Sequence, residues 1–463
     1  MQYSGNQVRD IQIAYIGGGS RDWAWCFMRD LALEPQMEGT IRLYDIDKKA
    51  AKDNEIIGNR LSEDPAAKAH WVYKTVDSLG EALTGADFVV ISILPGTFDE
   101  MESDVHAPEK YGVYQAVGDT VGPGGCIRAL RTIPMYVTIA EAVKKFSPKA
   151  WVINYTNPMT LCVATLYAVF PEIKAFGCCH GVFHAEDLLC HMLKEKCGLE
   201  ITRNDLRISV TGLNHFTWIT EAYYNETDLM PLLREFCRDH YEEGFDETGE
   251  KRWLTDPFKC GQKVLMDLFL RYGAIPTSGD RHVAEFLPPW YLKDPETARK
   301  WLFDVTTVAW RKNDLKERLA RSARLVSGEE KMELTPSGEE GHLMMKALLG
   351  LGDMLTNVNI PNRGQISNLP MGIIVETNAV FNRQGVTPLM TGDIPGGILG
   401  LIMPHAVNQK NILTAALTGD KELAFHAFLN EPLMQPVAPW DARELFEEML
   451  KNTSAYLPEA FKG

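Results

Sequence analysis

The chain reads as an α/β protein, with a doubly wound parallel sheet in its first two hundred residues and a mixed α+β part after it. Three observations lead there. Short apolar runs alternate with helical patterns from residue 11 to 177, the first run ends in three glycines at 17–19, and beyond residue 200 the alternation gives way to two adjacent strand patterns and long helices. The expected division is a nucleotide-binding domain over 1–200 and a substrate, metal and oligomerisation domain over 201–463.

The elements follow in order. Residues 11–15 form a buried strand, and Gly17, Gly18 and Gly19 supply a turn whose backbone can approach a pyrophosphate. Ser20 is expected to cap a helix running to about Leu33. The second strand, 41–44, ends in Asp45, close to the spacing of roughly 20 residues at which an acidic side chain meets the ribose hydroxyls. A carboxylate there repels a 2′-phosphate, so NAD is favoured over NADP. One position departs from the G-x-G-x-x-G pattern: Asp22 stands where the third glycine belongs.

Further strands are expected at 87–94, ending at Pro95-Gly96, at 150–156, ending at Asn157-Pro158, and at 173–177. Each delivers polar or glycine residues at its carboxyl end, the edge where open α/β sheets bind ligands, and Pro95 joins the glycines, Ser20 and Asp45 as a cofactor-binding candidate. After residue 200, strands at 206–213 and 216–224 flank Asn214-His215. A polar loop at 327–340, a strand at 372–380 and helices from about 407 to 429 complete the chain.

Composition bounds the function. The chain of 463 residues exceeds one typical domain, and 45% hydrophobic with 24% charged residues is an ordinary globular balance. A net charge of −15 argues against nucleic acid and anionic membrane surfaces as partners. The start, Met-Gln-Tyr-Ser-Gly-Asn, has neither a basic nor an apolar leader region, and no run of about 18 apolar residues occurs, so a cytoplasmic location is expected. Nine cysteines without a regular framework fit a reducing compartment.

Two of the remaining features carry chemistry. Cys179 and His215 each stand at the end of an expected strand. Taken singly, a cysteine or a lone histidine is ordinary core material. Beside a nucleotide motif, a thiolate and an imidazole can hold a divalent transition metal and leave positions open for two substrate oxygens, which suits redox chemistry on a sugar-like diol. The glycine-rich start of the helical segment 119–131, with Arg128 and Arg131, suits an anion, either a pyrophosphate or a substrate carboxylate.

Seven motifs in order, Gly17-Gly-Gly-Ser20, Gly118-Asp-Thr-Val-Gly-Pro-Gly-Gly125, Asn154-Tyr-Thr-Asn-Pro-Met159, Gly177-Cys-Cys-His180, Gly212-Leu-Asn-His215, Gly279-Asp-Arg-His-Val-Ala-Glu-Phe286 and Asn359-Ile-Pro-Asn362, resemble those of family 4 glycoside hydrolases. These are NAD- and manganese-dependent glycosidases, and within them the chain is most similar to the α-galacturonidases. The resemblance implies a Rossmann-type fold like that of lactate and malate dehydrogenases, and a mechanism outside the usual pair of carboxylates. NAD takes hydride from C3, a base removes the C2 proton, the glycosidic bond breaks by elimination, water adds, and hydride returns to C3.

The resemblance also assigns roles. Cys179 and His215 match the metal ligands, His180 the group that assists the leaving oxygen, and Asn157 a residue reaching substrate hydroxyls. For the base, Asp280 is preferred, since an ionised carboxylate needs no large pKa shift to accept an acidified C–H proton, with His282 and Glu285 as alternatives. Arg281 and Arg363 are candidates for the carboxylate of a uronide. The implied partner is a small α-uronide or oligogalacturonide, and the implied assembly a homodimer or homotetramer. An α-glucosidase or α-galactosidase of the same family, a sugar or 2-hydroxyacid dehydrogenase and a non-catalytic NAD sensor are the rival readings.

Overall fold

In the computed structural model, which describes residues 1–462, the parallel strands are β1 (Gln7–Ile16), β2 (Met37–Tyr44), β3 (Trp71–Thr75), β4 (Phe88–Ile91), β5 (Trp151–Asn154) and β6 (Lys174–Gly177). They lie side by side in the order β3-β2-β1-β4-β5-β6. Sheet growth therefore reverses between β1 and β4, and the carboxyl ends of those strands border a crevice, as in Rossmann-type sheets. Strand β4 shows why its sequence is continuously apolar. Phe88 and Val90 pack with Ile13, Tyr15 and Leu43 on one face, while Val89 and Ile91 pack with Ala14, Ile16 and Val152 on the other. Both faces are covered, so no position on the strand is left for a polar residue. Each such side chain contributes about 1.5–3 kcal/mol.

The second half begins with the expected hairpin, β7 (Leu206–Leu213) and β8 (Phe216–Tyr224), joined by Asn214-His215. Later come β9 (Met354–Pro361), β10 (Ile374–Asn382) and β11 (Gly385–Pro388). Strand β10 matches the expected one, but β9 was not foreseen. It runs antiparallel to β6 through a single pair, Asn359 opposite Gly177, so the first sheet continues as β11-β10-β9-β6. Glycine is required at that junction, because a Cβ on residue 177 would lie 2.7 Å from Met159 Sδ and 2.9 Å from Asn359 Cβ. The two halves of the chain share one sheet.

Helices that matter below are α1 (Trp23–Leu33), α2 (Lys48–Ser62), α3 (Gly122–Phe146), α4 (Lys263–Tyr272), α5 (Asp280–Glu285) and α6 (Val308–Ser327). Among the described residues no helix is long and apolar enough to cross a membrane. The expected loop at 327–340 is irregular from residue 328, since Ser327 still ends α6, and it runs back to the first domain. Ser337 N donates to Asp30 at 2.8 Å, and Arg29 donates to Thr335 at 3.3 Å.

Arg131 on α3 is fully buried and pairs with the equally buried Asp104, while its Nε donates to Pro95 O at 3.0 Å. This arrangement clamps the loop after β4. Asp104→Ala leaves the guanidinium without its counter-charge and is expected to cost about 3–5 kcal/mol in urea unfolding. A loss below about 1 kcal/mol, the scale of a surface pair, would contradict that role.

Candidate active site

The glycine turn is built by close approach. A Cβ on residue 17, whose φ is +89°, would lie 1.9 Å from Ser92 O. Gly17 N and Gly18 N donate to Tyr44 O at 2.9 and 3.0 Å, Gly19 N donates to Asp45 Oδ2 at 2.8 Å, and Asn54 of α2 donates to the carbonyls of Gly18 and Ser20, both at 2.8 Å. Ser20 does not cap the helix as expected. Its N–H turns back to Gly17 O, and α1 starts three residues later with no side-chain cap at Asp22. The first-turn N–H groups of α1 thus have no side-chain acceptor, the condition that favours an anion there. Asp22 itself pairs with Arg318 of α6 at 2.5 Å.

The helix start also forms one wall of the site. Trp23 lies 5.4 Å from the ring of Tyr155 and stacks on His180, with ring centroids 5.8 Å apart and planes 27° apart. His180 Nδ1 pairs with Glu339 at 2.7 Å, and this partner raises the imidazole pKa above its ordinary value, against the opposing effect of burial. Glu339 comes from the segment that runs back from the second half. Next to His180, Cys179 accepts from Gly181 N at 3.4 Å, and its carbonyl accepts from Asn357 of β9 at 3.0 Å. Burial pushes its thiol pKa up.

His215 sits in the tight turn between β7 and β8 with φ of +64°, a left-handed backbone that a non-glycine residue adopts only when its surroundings dictate it. The metal-ligating atoms of Asp119, His215 and His282 all lie within 4.8 Å of one another, and the two imidazole centroids are 4.1 Å apart. Cys179 is not part of that trio. The hydrogen bonds define the His215 tautomer. Thr120 Oγ1 donates its one proton to Asp119 at 2.7 Å, so at 3.0 Å from His215 Nδ1 it must accept. Nδ1 therefore carries the proton, and Nε2 presents its lone pair. Burial lowers the pKa of both imidazoles, that of His215 to about 4. Burial opposes charge on Asp119, but His282, Arg128 and His215 outweigh it and hold the carboxyl well below its usual range.

Asp280 needs correction as the preferred base. Its two carboxylate oxygens accept Val264 N and Leu265 N at 3.1 and 3.0 Å, so they cap the start of α4, and burial raises its pKa to about 7. Glu285 is similarly engaged, accepting Val117 N at 2.7 Å and Gly118 N at 3.0 Å. Of the three candidates only His282 faces His215. Asn157 Nδ2 donates to Asp119 at 3.3 Å, and its buried Oδ1 has no partner. Pro95 is held by Arg131, and Asp45 also accepts Asp47 N at 2.9 Å. Arg363 is exposed on the loop after β9, whereas Arg281 is buried, its Nη2 donating to Thr306 and to Ala116 O.

Glu376 on β10 was missed. It is buried, accepting Asn357 at 2.7 Å and Thr217 at 2.6 Å, beside an Asn214 amide whose N and O complete no hydrogen bond. Its signal was an acidic residue inside a strand, directly after the apolar Ile373, Ile374 and Val375 and before Thr377 and Asn378. Glu339, in a polar loop, gave no signal.

Residues 12–195 match the family 4 glycosyl hydrolases and residues 210–434 match their C-terminal domain. The chain belongs to family 4 of the glycosyl hydrolases. That membership makes it a glycoside hydrolase and sets aside the dehydrogenase and NAD-sensor readings. It is 57% identical to an alpha-galacturonidase of Thermoanaerobacterium saccharolyticum over 99% of this chain and 98% of that one. The crystal structure of lplD from Bacillus subtilis superposes with a TM-score of 0.91 at 49% identity, covering 96% of this chain and all of the other. A 6-phospho-alpha-glucosidase from gut microorganisms, solved with NAD and Mn2+, shares the fold at a TM-score of 0.79 and 21% identity, over 97% of this chain and 99% of that one.

The Asp119–Thr120–His215 relay makes a direct prediction. Thr120→Val removes the group that fixes the tautomer and should weaken Mn2+ binding about 10–100-fold, the usual effect of losing a ligand's hydrogen-bond partner. Titration followed by electron paramagnetic resonance reads this without turnover. Unchanged affinity would show that the relay does not orient a ligand.

Proposed function

We propose that this family 4 enzyme is an NAD- and Mn2+-dependent glycosidase that cleaves α-galacturonides. The observation that carries the reading is the stack of His180, next to Cys179, on Trp23 at the first turn of the helix that follows the glycine turn. This contact supports a reading in which the nucleotide and the metal share one crevice. High identity to an alpha-galacturonidase supports the substrate.

Both cofactors fit the residues present. The uncapped start of α1 suits a pyrophosphate, with Asp45 as the candidate for the ribose and the exposed Ile46 beside it for an apolar ring face. The neutral Nε2 of His215 and the Asp119 carboxylate, two of the three clustered donors, suit a transition metal, and the Cys179 thiol, outside that cluster, is the further donor that the family resemblance adds. When bound, the two cofactors would supply a hydride acceptor for C3 and a Lewis acid that makes the C2 proton acidic.

The chain's own groups do the rest. His282, kept neutral by burial, takes the C2 proton. His180 gives its proton to the departing oxygen from Nε2, since Nδ1 is held by Glu339 and the ring is held against Trp23. Asn157 offers its free Oδ1 to a substrate hydroxyl. Asp280 serves by capping α4, which carries the wall next to α5. The same reading includes a cytoplasmic location, consistent with nine free cysteines, and self-association, consistent with the exposed Met371, Met390 and Val407.

The test is turnover of 4-nitrophenyl α-D-galacturonide with NAD and Mn2+ against the neutral α-galactoside and α-glucoside. The uronide should lead by about two orders of magnitude in kcat/KM, the scale of an unpaired buried charge. His282→Gln should lower kcat by about 10²–10⁴-fold with KM little changed. Equal turnover of the neutral sugars would overturn the substrate, and near-normal turnover in His282→Gln would overturn the base.

A further inference from the structure

Three buried or half-buried guanidinium groups converge beside Asp119 and Glu285, and among the described residues none of them pairs with a carboxylate. Arg128 of α3 is 4% exposed, donates to Asn157 O at 3.3 Å and leaves Nη1 buried without a partner. Arg281 of α5 is 7% exposed, donates only to Thr306 and to Ala116 O, and leaves Nε buried without a partner. Arg311, in the first turn of α6, makes no hydrogen bond through a side chain whose Nε is also buried. A buried guanidinium carries five donors and a charge, and leaving them unmatched is costly. Burial is the leading influence on all three, and it works against their charge.

The negative charge on hand falls short of three. Two carboxylates stand near three guanidinium groups, and both are already engaged elsewhere, Asp119 by Thr120 and Asn157 and Glu285 by Val117 N and Gly118 N. That leaves the cluster short of at least one anion. At its outer edge stand two exposed aromatic rings in contact with each other: Phe258, 46% exposed, which also covers Arg281 at 4.7 Å, and Trp310, 36% exposed and next to Arg311, with centroids 4.9 Å apart. Flat apolar faces beside cationic forks match a sugar that carries a carboxylate.

We propose that Arg281 and Arg311, with Arg128 behind them, form the subsite that receives the carboxylate of the uronide being cleaved. The inference rests on the uronidase reading and names the residues that enforce it. Arg311 comes from a helix that sequence reasoning did not connect with the site. Its place beside Asp119 ties carboxylate recognition to the metal candidates, so a sugar lacking that group leaves the charges uncompensated next to the reacting carbons.

The test uses the full chain with NAD and Mn2+ and measures calorimetric binding of D-galacturonate and D-galactose. Arg311→Gln is the main variant, because Arg311 lies at the half-exposed start of a surface helix and its loss spares the core. It should weaken galacturonate about 10–100-fold, as expected for a lost charged hydrogen bond, and galactose hardly at all. Arg311→Lys, which keeps the charge but not the fork, should recover part of the loss. The inference is overturned if Arg311→Gln binds galacturonate normally, if both sugars weaken equally, or if NAD affinity falls instead, which would make the dinucleotide phosphates the missing anion. A wild-type protein that cleaves only neutral or phosphorylated glycosides overturns the uronidase reading itself. One that cleaves uronides while Arg311→Gln retains its preference overturns the inference alone.

Discussion

A single antiparallel pair, Asn359 opposite Gly177, joins the parallel sheet to strands from the last quarter of the chain, and the site depends on it. Through that junction β9 delivers Asn357 to the carbonyl of Cys179, and β10 delivers Glu376 to Thr217 at the base of the hairpin that holds His215. Residue 177 has no space for a side chain, because Met159 and the Asn359 Cβ already fill it. The carboxyl edge of a doubly wound sheet is open by topology. Here the chain closes part of it with its own later strands, leaving one crevice between the glycine turn and the hairpin.

Within that crevice the side chains divide into an orienting layer and a reacting layer. Asp119 accepts a hydrogen bond from Thr120, Thr120 accepts one from His215 Nδ1, and the lone pair of the far nitrogen of His215 is left for a metal. Glu339 and Trp23 do the same for His180, one by a hydrogen bond and the other by stacking. In both cases the reacting ring lies at the end of one half of the fold, and its orienting partner comes from a distant segment. Such long-range bracing keeps a left-handed residue such as His215 in place without a glycine.

Much of the first domain was legible in the sequence, because its strands announce themselves as continuous apolar runs and its turn by three glycines. The hairpin around Asn214-His215 was legible for the same local reason. What was not legible depended on distance along the chain. Asp280 reads as a free acid beside a metal motif, and nothing local shows that its oxygens cap a helix starting at Lys263. Ser20 reads as a cap, but the turn takes its N–H and the helix begins later. Glu339 and Arg311 belong to a polar loop and a surface helix in sequence, and acquire their meaning only when those segments fold back over the crevice.

The elimination route requires a proton to leave C2 of the sugar before the glycosidic bond breaks at this crevice. Hydrolysis of an α-galacturonide in D2O, with product analysed by mass spectrometry and proton NMR and NAD followed at 340 nm, tests it most directly. Elimination leaves one carbon-bound deuterium at C2 of the product and no net accumulation of NADH. Product with ordinary hydrogen at C2 would contradict it and point to direct displacement at C1.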